Sequence, residues 1–160
     1  MKKKLILLRT AILVYLTHRI ALPVLKYARK PIPFHWSELE LFQLPEGSLG
    51  HDLYLFLEKR NLPLMKHYAR HDLKHVLLGY DTTDEGEACL QCFMLGNGRV
   101  SFPVLATVIY SFVTMPEHWG KMKKAYRQGK QSSSFHQWEW NELLPLPTKQ
   151  LQQIIFKKEI

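Results

Sequence analysis

Residues 71–87 read HDLKHVLLGYDTTDEGE, and their punctuation divides them into the end of one helix, a turn and the start of another. His71 and His75 stand four residues apart, a spacing that puts both side chains on one helical face. Gly79 is the residue type that most readily adopts the left-handed conformation in which helices end. Tyr80 and Asp81 then turn, and Thr82 with Glu85 has the spacing of a capping box for the next helix. Glu87 falls in the first turns of that second helix, close to where the first one stopped. The reading is a helical hairpin with two imidazoles on one arm and a carboxylate on the other.

That arrangement is the donor set of a divalent-metal site. His71 and His75 converge on one ion, Asp72 sits beside them, and Glu87 reaches across from the second helix. With 8 histidines in 160 residues, chance alone gives roughly 0.4 pairs at this spacing, so the pair by itself is a weak signal. The accompanying acids and the built-in turn strengthen it. His51 and Asp52 repeat the dipeptide, but position 55 is Leu55 and no second imidazole joins them, so this copy reads as solvated or capping. His67 extends the stripe by one turn, yet about 12 Å along the axis separates His67 from His75, too far for both to bind one ion. His67 is therefore expected to support a ligand or to be exposed.

A chain of 160 residues buries about 70% of its unfolded surface as one domain, so its core needs no structural metal. A bound ion is then functional. The two cysteines, Cys89 and Cys92, lack the second pair of a zinc ribbon and read as packed, reduced thiols of a reducing compartment. The formal charge is +8, from 22 Lys and Arg against 14 Asp and Glu, with the excess at 2–4, 26–30 and 121–130. Such a surface attracts phosphates. No RNA-binding or helix-turn-helix signature accompanies it, which selects lipid and leaves no nucleic-acid partner.

The stretch MKKKLILLRTAILVYLTHRIALPVL at the start is apolar but broken by Arg9, His18, Arg19 and Pro23. Its longest uncharged run is too short for a bilayer, which needs about 20 residues, and it has no small-residue cleavage site. Residues 1–30 read as a basic amphipathic helix that faces a membrane, or folds on the core or a dimer seam. Residues 31–160 read as a helical metal- and lipid-binding domain.

The remainder is short helices with almost no strand alternation. Ser37 and Glu40 make a capping box, Ser48 opens a helix over 49–60, and Asn61 to Pro63 closes it and starts the histidine helix. GNGR at 96–99 is a turn. Pro103 opens a helix that is apolar on nearly every side and is expected to be a core helix, or a wall of a lipid pocket. A basic helix over 116–130, a Trp-rich stretch over 135–144 and a final helix from Thr148 complete an all-α, single-domain bundle of about seven to nine helices.

In these features the chain resembles the ubiquinone (coenzyme Q) biosynthesis protein 4 family, whose hallmark is HDxxH, eleven residues and a glutamate. Here that motif is His71, Asp72, His75 and Glu87. PEGSLGHDLYLFL at 45–57, LLGYDTTDEGE at 77–87, AYRQGK at 125–130 and WEWNELLPLP at 138–147 are also similar to family segments in the same order. The absent mitochondrial transit peptide and the CLQC pair depart from the family and suggest a divergent bacterial member.

The resemblance implies an all-helical peripheral protein, cytoplasmic and on the inner face of the cell membrane, that handles a polyprenylated aromatic lipid. His71, Asp72, His75 and Glu87 bind the ion, zinc by preference, with iron, manganese or magnesium as alternatives. His71, His75 and Glu87 are the catalytic residues, and no separate organic cofactor is expected. The implied reaction is loss of the ring carboxylate at C1 of a polyprenyl hydroxybenzoate. Hydroxylation at the same carbon would need a redox-active ion, because zinc exchanges no electrons. Other quinone-biosynthesis enzymes and a second copy of the chain, in a homodimer, are the expected partners. A non-catalytic lipid-binding scaffold is one competing reading. An HD phosphohydrolase is another, but after Glu87 the acids are Glu117, Glu139, Glu142 and Glu159, and no aspartate remains for its downstream ligand.

Overall fold

Two segments far apart in sequence, PEGSLG at 45–50 and LLPLPT at 143–148, close the molecule by sharing backbone hydrogen bonds. The first N–H groups of a helix have no partner within it. Here the N–H of Leu49 donates to the Leu146 carbonyl at 2.9 Å and that of Gly50 to the Leu144 carbonyl at 2.9 Å. Ser48 Oγ accepts from the His51 N–H at 3.3 Å, and the Thr148 N–H returns to the Gly47 carbonyl at 2.9 Å. The helix beginning at Leu49 and the one beginning at Thr148 are thus tied at their starts. Gly50 lets the two segments approach, since a Cβ there would crowd Leu144 and collide with Leu44.

The structure, a computed structural model, describes residues 34–156 together with Ala11 and Tyr15. Apart from Ala11 and Tyr15, the amphipathic helix expected over 1–30, with the basic runs at 2–4 and 26–30, lies outside the described residues. Eight α-helices follow in order: α1 (Glu38–Phe42), α2 (Leu49–Glu58), α3 (Ala69–Leu78), α4 (Asp84–Gly96), α5 (Phe102–Thr114), α6 (Trp119–Gln131), α7 (Trp140–Leu143) and α8 (Thr148–Phe156). A 3₁₀ turn, Pro116–His118, joins α5 to α6. Among the described residues there is no strand, only an isolated bridge between Ser48 and Pro147. The fold is an all-α bundle, as its periodicity predicts.

The capping box at Ser37 forms, with Ser37 Oγ accepting from the Glu40 N–H at 3.3 Å and Glu40 accepting from the Ser37 N–H at 2.7 Å. The start expected for the histidine helix at Pro63 does not. Leu64 gives its N–H to the Glu38 carboxylate at 2.8 Å, and the helix opens only after a turn in which Tyr68 and Ala69 donate to the Met65 carbonyl. His51 is buried and stacks on Phe42, with no hydrogen-bond partner at Nδ1, so the expected solvated role is wrong. His67 is exposed. Cys89 and Cys92 are buried free thiols, and burial pushes Cys92 up to about 11, far from the reactive thiolate range.

Leu53, Leu73, Leu77, Leu90, Phe93 and Leu151 fill the core with no accessible surface or almost none. Helix α4 is its spine, burying Ala88 to Leu90 and Cys92 to Met94. It crosses α6 at unusually close range, because two glycines meet there. A Cβ on Gly96 would collide with the Tyr126 carbonyl, and one on Gly129 with the Phe93 carbonyl. Asn97 locks the crossing, its side-chain amide donating at 3.2 Å to the carbonyls of Gly129, Ser132 and Ser133.

Helix α5 corrects the sequence reading. Of its thirteen residues only Val104 and Ser111 are buried, while Phe102, Ile109, Phe112 and Val113 face outward. All-round apolarity records no direction, and packing on α4 turned a small, mixed face inward. In the described residues no helix is long and apolar enough to cross a membrane.

The glycine crossing yields a stability prediction. Gly129→Val should destabilise by about 1–3 kcal/mol or more, because the helices must separate. Gly120→Ala, in an open part of α6 where a Cβ meets nothing within 4 Å, should be neutral or stabilise by up to about 1 kcal/mol. Urea midpoints with unchanged slopes would read both.

Candidate metal centre

The hairpin between His75 and Glu87 is held by three local devices. Gly79 sits at φ 72° and donates its N–H to the His75 carbonyl at 2.9 Å, ending α3. Asp81 then folds back, accepting from the N–H of Thr83 at 3.0 Å and from the Thr83 hydroxyl. Thr83 in turn caps α4, accepting from the Gly86 N–H at 3.1 Å. Gly86 is obligatory in this clasp, since any Cβ would strike Asp81. The cap is therefore Thr83, one residue later than the Thr82–Glu85 box expected from spacing. Glu85 is used elsewhere, taking His118 Nδ1 at 2.9 Å and Lys121 Nζ at 2.6 Å and so fastening the first turn of α4 to α6.

Glu87, one turn further, donates its N–H to the Thr83 carbonyl at 2.8 Å and turns its carboxylate toward α3. Its Oε1 lies 3.1 Å from His71 Nε2 and 3.0 Å from His75 Nε2, and the two Nε2 atoms are 3.0 Å apart. His75 is sealed from solvent, whereas His71 and Glu87 keep 17% and 27% of their side-chain surface, which leaves an approach from one side. Among the described residues these are the three whose ligand atoms converge. Asp72 is not one of them. It is buried beside the histidines, and burial pushes it up to about 6 against their opposing charge.

The Tyr80 carbonyl is the contact that sequence reasoning missed. It accepts from His75 Nδ1 at 3.0 Å, so the proton of the neutral ring resides on Nδ1 and the Nε2 lone pair faces the cluster. Backbone acceptors carry no residue signature, and only the geometry after Gly79 reveals this one. Phe56 stacks on His75 at 5.8 Å and Tyr68 tilts against His71 at 4.6 Å, so both rings are braced by aromatic neighbours.

Two imidazole nitrogens and a carboxylate oxygen lie within about 3 Å of one another, a spacing that a ring N–H or a metal ion can bridge. Neutral imidazole and carboxylate are ordinary ligands of first-row divalent ions, and two histidines with one carboxylate leave further coordination positions open. The residues present fit a metal.

No protein-family model and no curated protein matches the chain. A solved structure does. It is a protein from Nostoc punctiforme PCC 73102 whose name assigns it provisionally to ubiquinone biosynthesis, with a TM-score of 0.61 and 21% identity, over 92% of this chain and 80% of that one. At that identity the likeness establishes a common helical fold.

Protonation sets the pH dependence of the centre. Burial lowers the affinity of His75 for a proton, but its hydrogen bond and proximity to Glu87 outweigh this and raise it above the usual histidine value. Burial likewise opposes the charge on Glu87, yet hydrogen bonds from His71 and from the doubly protonated His75 hold it well below the carboxylate range. Glu87 thus stays ionised, and protons compete with a metal at the imidazoles, with His75 holding its proton above the usual histidine value. Metal affinity should level off above the raised His75 value and fall by at least about tenfold per pH unit below it. Zinc titration by calorimetry between pH 5.5 and 8.5 should show that break above 6.5, the model-peptide value.

Proposed function

We propose that this chain is a metal-dependent, membrane-associated protein of prenylquinone synthesis that removes the ring carboxylate at C1 of a polyprenylated hydroxybenzoate. The observation that carries the reading is the convergence of His71, His75 and Glu87 from two consecutive helices. The helical fold shared with the Nostoc punctiforme protein, and the provisional assignment of that protein to ubiquinone biosynthesis, lend it support.

His71, His75 and Glu87 would hold the ion, with zinc the expected one. When bound, a divalent cation supplies an open Lewis-acidic position for the substrate carboxylate or phenolate and stabilises the charge that develops as CO₂ leaves. The chain's own part is orientation. Tyr80 fixes the ring tautomer of His75 through its carbonyl, and Phe56 with Tyr68 hold the rings in place. Asp72, raised to about 6 by burial, is placed to exchange a proton near neutral pH beside the two histidines. The solvent-accessible edges of His71 and Glu87 mark the side from which an aromatic head group would approach.

Two measurements test the reading. Metal analysis should find the ion in wild type and in His67→Ala, but less than about a tenth of it in His75→Ala, whose lost imidazole is buried at the centre of the cluster. Equal metal in wild type and His75→Ala refutes the site. Incubation with a polyprenyl 4-hydroxybenzoate, with and without oxygen, should release CO₂ from wild type and not from His75→Ala. A metal-loaded protein that releases none in either atmosphere is a scaffold instead.

A further inference from the structure

Helix α5 is amphipathic the wrong way round for a water-facing element. Toward α4 it buries Val104 and the hydroxyl-bearing Ser111, while Phe102, Ile109, Phe112 and Val113 are 75%, 62%, 54% and 72% exposed. With Leu105 and Ala106 these positions form one apolar arc roughly 120° wide along the helix. No charged residue occurs from Val100 through Pro116. A continuous outward face of this kind marks a docking surface.

The neighbouring helix specifies what docks. Trp119, at the start of α6, stacks on Phe112 with ring centroids 4.6 Å apart and planes 8° apart, and its Nε1 donates to the Phe112 carbonyl at 2.7 Å. The two surfaces are therefore joined. From Trp119 the stripe continues along α6 through Lys123, Tyr126 and Lys130, at the i, i+4, i+7 and i+11 positions of one face, and all four are exposed. Helix α6 carries five cationic side chains and no acid. The surface joins bare hydrocarbon on α5 to a stripe on α6 in which two amphipathic aromatics alternate with two lysines, the side-chain types that occupy a lipid head-group region. Anionic phosphates would neutralise the lysine stripe beside this apolar face.

We propose that α5 and the adjoining Trp119–Lys130 stripe of α6 are the face by which this protein lies in an anionic lipid interface. Ile109, Phe112 and Val113 enter the acyl boundary, Trp119 and Tyr126 sit at head-group level, and Lys123 and Lys130 meet lipid phosphates. This inference rests on the membrane attachment contained in the function proposed above, and not on the metal centre.

The test is co-sedimentation of the full chain with vesicles of phosphatidylcholine, and of phosphatidylcholine with roughly one-third phosphatidylglycerol. The double variant Ile109→Glu/Val113→Glu should lose at least about tenfold in partitioning to both vesicles, with wild-type metal content, since both residues are remote from the cluster. Lys123→Glu/Lys130→Glu should lose at least about tenfold on the anionic vesicles alone and abolish the salt dependence of that binding. Wild-type partitioning by both variants overturns the assignment of this face, and failure of wild type to bind either vesicle overturns membrane attachment itself. If light scattering shows a wild-type dimer that Ile109→Glu/Val113→Glu dissociates, a second copy occupies the face and the proposal falls. It falls also if that variant melts well below wild type without lipid, because the chain itself then covers α5.

Discussion

The clasp between Asp81, Thr83 and Gly86 is the constraint on which the candidate centre depends. It converts eleven intervening residues into a fixed distance between two helices. Asp81 can fold onto the first turn of α4 only because position 86 has no Cβ, and that fold decides where the next turn, and so Glu87, begins. The same loop delivers the Tyr80 carbonyl to His75 Nδ1. One short turn therefore places the carboxylate, ends the histidine helix and selects the tautomer that bares a lone pair. Adding a residue within the first turn of α4, ahead of Glu87, would rotate that carboxylate by about 100° around the helix and remove it from the cluster.

Around that clasp the molecule arranges charge so that a half-buried anion is tolerated. Glu87 is held ionised by the two imidazoles, and Glu85, two residues earlier, is paired with Lys121 of α6 and contacts His118 of the preceding 3₁₀ turn. The two acids differ in use because they point to opposite sides of α4. One faces α3 and completes a ligand set. The other joins α4 to the basic helix, so the opening turn of α4 is anchored from both sides.

Local chemistry made much of the architecture readable in the sequence. Caps and stops act within four residues, and those at Ser37, Ser48 and Gly79 stand where their residue types place them. The convergence of His71, His75 and Glu87 was readable for the same reason, since it needs only one helix period and one turn. What escaped depends on tertiary neighbours. Glu85 has the spacing of a box but finds stronger partners on α6, Pro63 cannot open a helix when Leu64 is taken by Glu38, and His51 is buried under Phe42. Asp72 follows the histidine in the motif and yet stands outside the converging atoms, because adjacent helical positions point about 100° apart. Helix α5 escaped most completely, since a segment apolar on every side contains no statement of which side is inward.

The Gly96–Gly129 crossing has a mechanical consequence. Most packed helices are separated by side chains that yield by changing rotamer, which gives each element some slack against the next. Here backbone meets backbone, and the joint has no such cushion. Helices α4 and α6 therefore behave as a single stiff lever, with Glu87 on one arm and the lysine stripe on the other. A tilt imposed on the outer arm would be felt at the carboxylate with little loss.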